Sequence, residues 1–196
     1  MIKEIYSKIR GSSVINTTNH LFDEIDKHFL ASSKLKYPII FTQSQRQVEG
    51  WFKGELLYLF SRLQDQGQLL SWESEAFLPN NGRKKSDFKV VINHAAIYLE
   101  LKTLYTGKQG RSQIDLGIYF YKDTVGIWPD VQKLAAIEAG QGFCILFVYP
   151  SPNPMRWRQI LEAYNTRVTS TFVREVSNID KYPSSLYIAK LEILSN

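Results

Sequence analysis

The stretch Ser86-Asp87-Phe88-Lys89-Val90-Val91-Ile92-Asn93-His94-Ala95-Ala96-Ile97-Tyr98-Leu99-Glu100-Leu101-Lys102 carries most of the fold. Take Asn93-His94 as a two-residue loop closing a hairpin. Ile92 then opposes Ala95, Val90 opposes Ile97 and Phe88 opposes Leu99, all apolar pairs on one face. Asp87 opposes Glu100 on the other face, with Cβ atoms about 5 Å apart. Lys102 follows Glu100 by two residues and projects from that same face. A one-residue slip would mix the two sets, so the pattern selects the register. Asn-His is not the favoured Asn-Gly loop, which leaves the turn type open.

Outward from the hairpin, Leu69–Leu78 reads as a preceding strand, stopped by Pro79-Asn80-Asn81-Gly82. Before it, Gln45–Asp65 is the strongest helix: Val48, Phe52, Leu56, Leu59, Phe60 and Leu63 form one stripe, and Gly67 marks a stop. The hairpin strands themselves read as Asp87–Ile92 and Ala96–Thr103. After a polar, Gly-marked stretch Thr106–Gln113, the segment Ile114–Tyr121 is either a short strand or an ordered loop. Asp130–Ala139 is a helix with Pro129 at its start and Gly140 at its stop. Phe143–Tyr149, short and continuously apolar, is a buried strand. Three successive strands give an antiparallel meander, and a fourth reached through a helix gives a crossover. The expectation is an α/β fold, a central mixed sheet flanked by helices. Further elements are a helix at Thr17–Leu30, a break at Tyr37-Pro38 with Ile39–Phe41 extended, a helix at Pro154–Asn165 and a strand at Leu186–Leu194.

Two facing carboxylates repel when both are ionised, and persist if a cation lies between them or one keeps its proton. Hard oxygen donors suit Mg²⁺, with Mn²⁺ as a substitute. A lysine alongside can orient a water and stabilise developing anionic charge. The competing reading is a salt-bridge cluster on a solvated strand. Against it, Glu100-Leu101-Lys102 ends the run Ala95–Leu99, which is too apolar for an exposed edge.

These residues resemble the PD-(D/E)xK nuclease superfamily, the restriction-endonuclease-like fold. Ser86-Asp87 and Glu100-Leu101-Lys102 match its motif, with Ser86 where the pattern has Pro. The helix Gln45–Asp65 and the helix Asp130–Ala139 match its αβββαβ core, so the likeness spans about residues 45–149. It implies a Mg²⁺-dependent endonuclease, a hydrolase of phosphodiester bonds with DNA as first expectation. Asp87, Glu100 and the Leu101 carbonyl would be metal ligands, Lys102 the catalytic lysine, and Glu55 the acidic residue on the first helix. The alternative is an inactive nucleic-acid-binding module on the same fold. Residues 1–41 and 150–196 would be additions to a single domain.

Composition sets the frame for that reading. The chain has 196 residues, 44% hydrophobic and 13% aromatic, enough for a sizeable core. With Lys+Arg 24 against Asp+Glu 19 the net charge is +5, which permits a polyanionic partner without requiring one. Part of the excess is local. Arg83-Lys84-Lys85 precedes Asp87, Lys108, Arg111 and Gln113 lie in the stretch after the third strand, and Lys133 lies on the later helix; all are candidate nucleic-acid contacts. Arg156-Trp157-Arg158 is either a stacking cluster or a helix burying one Trp. Glu73 and Glu75 are either auxiliary ligands or a solvated edge. The single Cys144, within an apolar run, reads as a buried small hydrophobe in a reducing compartment. No Ser-hydrolase elbow, phosphate-binding Gly-rich loop or zinc-finger spacing occurs. No apolar run approaches membrane length and the N-terminus lacks a secretory pattern, so a cytoplasmic location is expected. A homodimer is an expectation from analogy with two-strand cutting.

Overall fold

A computed structural model describes residues 14–44, 48–79, 83–109, 112–121, 126–150, 152–164, 168–176 and 186–194. In chain order these form α1 (Thr18–Leu30), α2 (Ser32–Gln43), α3 (Glu49–Asp65), β1 (Ser71–Phe77), β2 (Lys85–Ile92) and β3 (Ala95–Tyr105). A small hairpin follows, β4 (Lys108–Gln109) and β5 (Ser112–Gln113), then α4 (Ile118–Tyr121) and α5 (Trp128–Ala135). The remainder is β6 (Gln141–Tyr149), α6 (Pro154–Tyr164), β7 (Val168–Val176) and β8 (Leu186–Ile193).

Six strands make one open mixed sheet in the order β1-β2-β3-β6-β8-β7. The β2–β3 register is the one the hydrophobic pattern selects: Phe88 faces Leu99, Val90 faces Ile97 and Ile92 faces Ala95. Asn93 and His94 both take positive φ (48° and 66°), the two-residue loop whose twist matches a hairpin. The Asn93 amide donates to the Asn16 carbonyl at 2.7 Å, which ties the loop down. β3 and β6 run parallel, as a helical crossover requires, and β8 adds antiparallel to β6.

The alternation splits the core in two. On one face, Leu21, Phe22, Ile25 and Phe29 of α1 and Phe52, Leu56, Leu59, Phe60 and Leu63 of α3 cover Phe88, Leu99, Ile145 and Phe147. The Phe52 and Phe147 rings stack with centroids 4.3 Å apart. On the other face, Val131 and Leu134 of α5 and Trp157 and Ile160 of α6 cover Tyr98, Cys144, Leu146 and Val148. Trp157 is thus a core residue, and Arg156 pairs with Asp115 at 2.9 Å. A fully buried ion pair, Asp26 of α1 with Lys190 of β8, sits in the first layer.

One expectation needs correction, one open alternative is resolved, and one strand is new. Ile39–Phe41 is helical, because α2 runs through Pro38. The Thr42 hydroxyl donates to the Pro38 carbonyl at 2.8 Å, and Phe41 packs against Trp51 and Phe52 beneath it. Ile114–Tyr121 is not a strand; its end forms the single turn α4, where Asp115 caps the Gly117 amide at 2.7 Å. β7 has no counterpart in the sequence reading, and it pairs along β8 at the sheet edge. Among the described residues, no helix is long and apolar enough to cross a membrane.

Candidate active site

β3 is 11 residues long and β2 only 8. Their last registered pair toward the β2 start is Phe88 with Leu99, so the second half of β3 runs on beside β6 alone. A fork opens there between β2 and β3. The backbone amides that β2 would have satisfied turn to carboxylates instead. Leu101 donates to Asp87 Oδ2 at 2.8 Å and Thr103 donates to Glu49 Oε2 at 3.4 Å. Within a strand, one residue's N–H and C=O point to the same side, so the Leu101 carbonyl faces the fork as well.

The fork collects eight charged groups from five elements. Asp87 Oδ1 takes a hydrogen bond from Lys53 of α3 at 2.8 Å, and Lys53 also holds Glu75 of β1. Glu100, only 4% exposed, has Lys133 of α5 at 2.6 Å. Lys102 lies 3.2 Å from Asp130, which is 3.3 Å from Lys133. Asp130 in the first turn of α5 and Lys133 in its last are three residues apart, so both reach the same spot. Five carboxylates (Glu49, Glu75, Asp87, Glu100, Asp130) therefore meet three ammonium groups (Lys53, Lys102, Lys133).

Burial pushes the Glu100 carboxyl from an ordinary 4.5 up to about 8; Lys133 pulls the other way, and Asp130 and Asp87 add to the rise. Burial would lower Lys102, but Asp130, Glu49 and Glu100 together hold its ammonium above the usual value. Lys133 and Lys53 behave likewise, burial being outweighed by Glu100 and Asp130 for the first and by Asp87 and Glu75 for the second. Beneath the cluster, burial raises the free Cys144 thiol, with Asp130 and Glu100 adding. Cys144 is an inert core residue, as its surroundings in the sequence suggest.

Asp87, Glu100 and Lys102 all border the fork, Asp87 held by Lys53 of α3 and Glu100 and Lys102 by Lys133 and Asp130 of α5, while Glu55 does not join them. Glu55 Oε2 lies 2.8 Å from His28 Nε2 and lines a cavity with Lys27, Tyr58 and Arg62 between α1 and α3. The reason is rotational. At about 100° per residue, Glu49 and Lys53 border one flank of the Phe52–Leu56–Leu59–Leu63 stripe and Glu55 the other. The α3 residues at the fork are Glu49 and Lys53, and sequence reasoning missed both. Their signal was available as an acid and a base four apart, beside the stripe on the side opposite Glu55.

The remaining candidates divide. Arg83, Lys84 and Lys85 are exposed at the β1–β2 hairpin. Lys108 is exposed on β4, and the Gln113 amide is spent on the Thr106 carbonyl at 2.8 Å. Arg111 lies outside the described residues. Lys133 belongs to the carboxylate cluster, and its closest partner is Glu100. Glu75 enters the cluster through Lys53, whereas Glu73 is solvent-exposed. The buried Ser86 hydroxyl donates to the Phe88 carbonyl at 3.0 Å, a local bond that a proline there could not supply.

Among the described residues, no three carboxylate, imidazole or thiol groups converge into a ready-made metal cage. The oxygen donors are instead interleaved with lysines. Mg²⁺ needs fewer protein donors than a cage supplies, since it is held through one or two carboxylates and keeps several waters. Asp87, Glu100 and the Leu101 carbonyl are oxygen donors of that kind at the fork. No family model, curated protein or solved structure matches this chain.

Proposed function

We propose that the fork is the active site of a metal-dependent endonuclease of the PD-(D/E)xK type, acting on nucleic acid, with DNA as the first candidate. The observation that supports this best is that Asp87, Glu100 and Lys102 all border the fork where β3 runs on beyond its pairing with β2. Two anions in a half-buried fork are poorly suited to holding the fold and well suited to holding a cation. The order helix, three strands, helix, parallel strand supports the same reading.

In this reading Asp87 and Glu100 bind the cation through their carboxylates, with the Leu101 carbonyl as a third donor. A bound Mg²⁺ supplies a water of lowered pKa and counter-charge for the phosphate. Lys102 donates a hydrogen bond to the attacking water or a phosphate oxygen and stabilises negative charge as it develops. Asp130, 3.2 Å away, orients that ammonium. Lys53 and Lys133 hold the carboxylates in place until substrate and cation arrive. Arg83, Lys84 and Lys85 attract the flanking phosphates.

The lysine partners give substance to a second reading, in which the cluster is a structural ion-pair network in a binding module. Supercoiled plasmid, single-stranded DNA and RNA incubated with Mg²⁺, Mn²⁺ or EDTA separate the two. The nuclease reading expects metal-dependent cleavage, lost in both Glu100→Ala and Lys102→Ala. Binding without cleavage under every metal favours the module.

A further inference from the structure

The fork opens beside the β1–β2 hairpin, where a large apolar side chain occupies a solvent-facing position of the strand. Phe77, the last residue of β1, is 57% exposed, while Ala76 and Leu78 on either side are buried. Directly opposite Phe77 is Lys85, whose ammonium lies 4.7 Å from the ring centroid. Lys85 is two residues from Asp87, hence on the same face and about 7 Å from it. Arg83 and Lys84 continue the exposed basic rim. The Leu78 amide donates to the Lys84 carbonyl at 3.0 Å, which closes this end of the hairpin and fixes the ring's base.

We propose that Phe77 is a stacking platform for an unpaired base, and that the fork therefore acts on single-stranded or frayed nucleic acid in preference to intact duplex. The proposal rests on the nuclease reading and names its substrate class. A cation needs only phosphates, and both polymer forms provide them. An exposed ring beside a basic rim offers a stacking face to a flat base. An intact duplex keeps its base faces inside the stack, whereas each unpaired base presents one. Lys85 occupies one side of the ring, and its positive charge complements the phosphate of the nucleotide that stacks. Aromatic stacking tolerates any base, so no sequence preference follows at this position. Phe77 is a positioning residue: it sets the strand's path beside Asp87 without touching the reacting phosphate.

Stacking is read directly with an oligonucleotide carrying 2-aminopurine, whose fluorescence is quenched when the base stacks. The protein is the full chain carrying Glu100→Gln, so that the strand is not consumed, in EDTA. Single-stranded DNA is expected to bind with quenching. Phe77→Ala in that background should abolish the quench and weaken single-strand binding about tenfold, leaving duplex binding within about twofold. Phe77→Trp should restore both. A matching RNA strand shows which sugar the surface accepts, and quenching of either polymer supports the platform. An unchanged melting temperature in Phe77→Ala ties a loss to the ring alone. Equal weakening of single strand and duplex, or a quench that survives Phe77→Ala, overturns the proposal. Cleavage by the unsubstituted protein is scored separately. Metal-dependent cleavage indifferent to Phe77 overturns the platform alone. Phe77-dependent quenching with no cleavage under Mg²⁺ or Mn²⁺ supports the platform and overturns the nuclease reading.

Discussion

Glu100→Gln should stabilise the protein at alkaline pH. Glu100 is 4% exposed, and its carboxyl is pushed from 4.5 up to about 8, chiefly by burial. A group whose folded pKa lies above its unfolded value contributes stability that is complete below the unfolded pKa and is lost as pH rises through the folded one. For Glu100 that window runs from pH 4.5 to about 8. At 1.36 kcal/mol per pH unit, ionising it fully in the fold costs up to about 5 kcal/mol. Glutamine removes that cost, but its amide must also be buried and Lys133 loses its 2.6 Å partner. Lys133 keeps Asp130 at 3.3 Å, so it is not left alone. The net expectation at pH 9 is a gain of about 1–2 kcal/mol, or about 3–6 °C in melting temperature for a chain of this size. Near pH 5 the gain should shrink to nothing, because the native carboxyl is already protonated. Thermal melts of both proteins in EDTA across pH 5–9 measure the difference. A variant less stable than the parent by the same amount at every pH would refute the reasoning. It would mean that Glu100 is ionised throughout and held as a salt bridge by Lys133.

Three other outcomes are expected. Glu49→Gln should lower metal-dependent cleavage about tenfold or more, while Glu55→Gln leaves it within about threefold, since only Glu49 stands at the fork; initial rates on plasmid compare them, and the reverse order would restore the original choice of Glu55. Lys53→Met leaves Asp87 and Glu75 facing each other without an ammonium between them. It should lose about 1 kcal/mol in EDTA and regain more stability than the parent on adding Mg²⁺, as melts with and without the ion would show. Asp26→Asn should cost about 3–5 kcal/mol, because Lys190 is wholly buried beside it, and Asp26→Leu with Lys190→Met should recover most of that loss in urea titrations.

The β2–β3 register was legible because every residue from Asp87 to Leu99 had to choose a face, and a single slip would have buried charge. Phe88, Val90, Ile97 and Leu99 settled that choice among themselves. Glu55 failed for the opposite reason. A helix stripe has two flanks, and periodicity alone does not say which flank looks at the sheet's open fork and which at a neighbouring helix. Here α1 took the Glu55 side and supplied His28 as its partner. Lys133 was legible as basic and near the site, but its role was not. Only the position of α5 over β3 and β6 shows that the lysine answers a buried carboxylate before it can answer a phosphate. β7 escaped because an edge strand such as Val168–Val176 carries no strict alternation, with Thr169, Ser170, Thr171, Arg174 and Glu175 mixed among apolar residues.

The location of the cluster follows from strand length. Had β2 continued past Asp87 alongside β3, the Leu101 and Thr103 amides would have been satisfied by backbone, and the fork would be closed sheet. Stopping the pairing there leaves those amides and the Leu101 carbonyl facing an opening. Charged side chains from α3 and α5 reach that opening from opposite faces of the sheet. The buried position raises the Glu100 pKa, and the opening gives a hydrated cation a way in. In the proposed site, a divalent ion between Asp87 and Glu100 would offset the cost of ionising Glu100. Lysines hold the pair in the meantime, each with a second carboxylate to turn to: Glu75 for Lys53, Asp130 for Lys133. In the proposed nuclease, that second carboxylate would keep each ammonium paired when a cation takes Asp87 and Glu100.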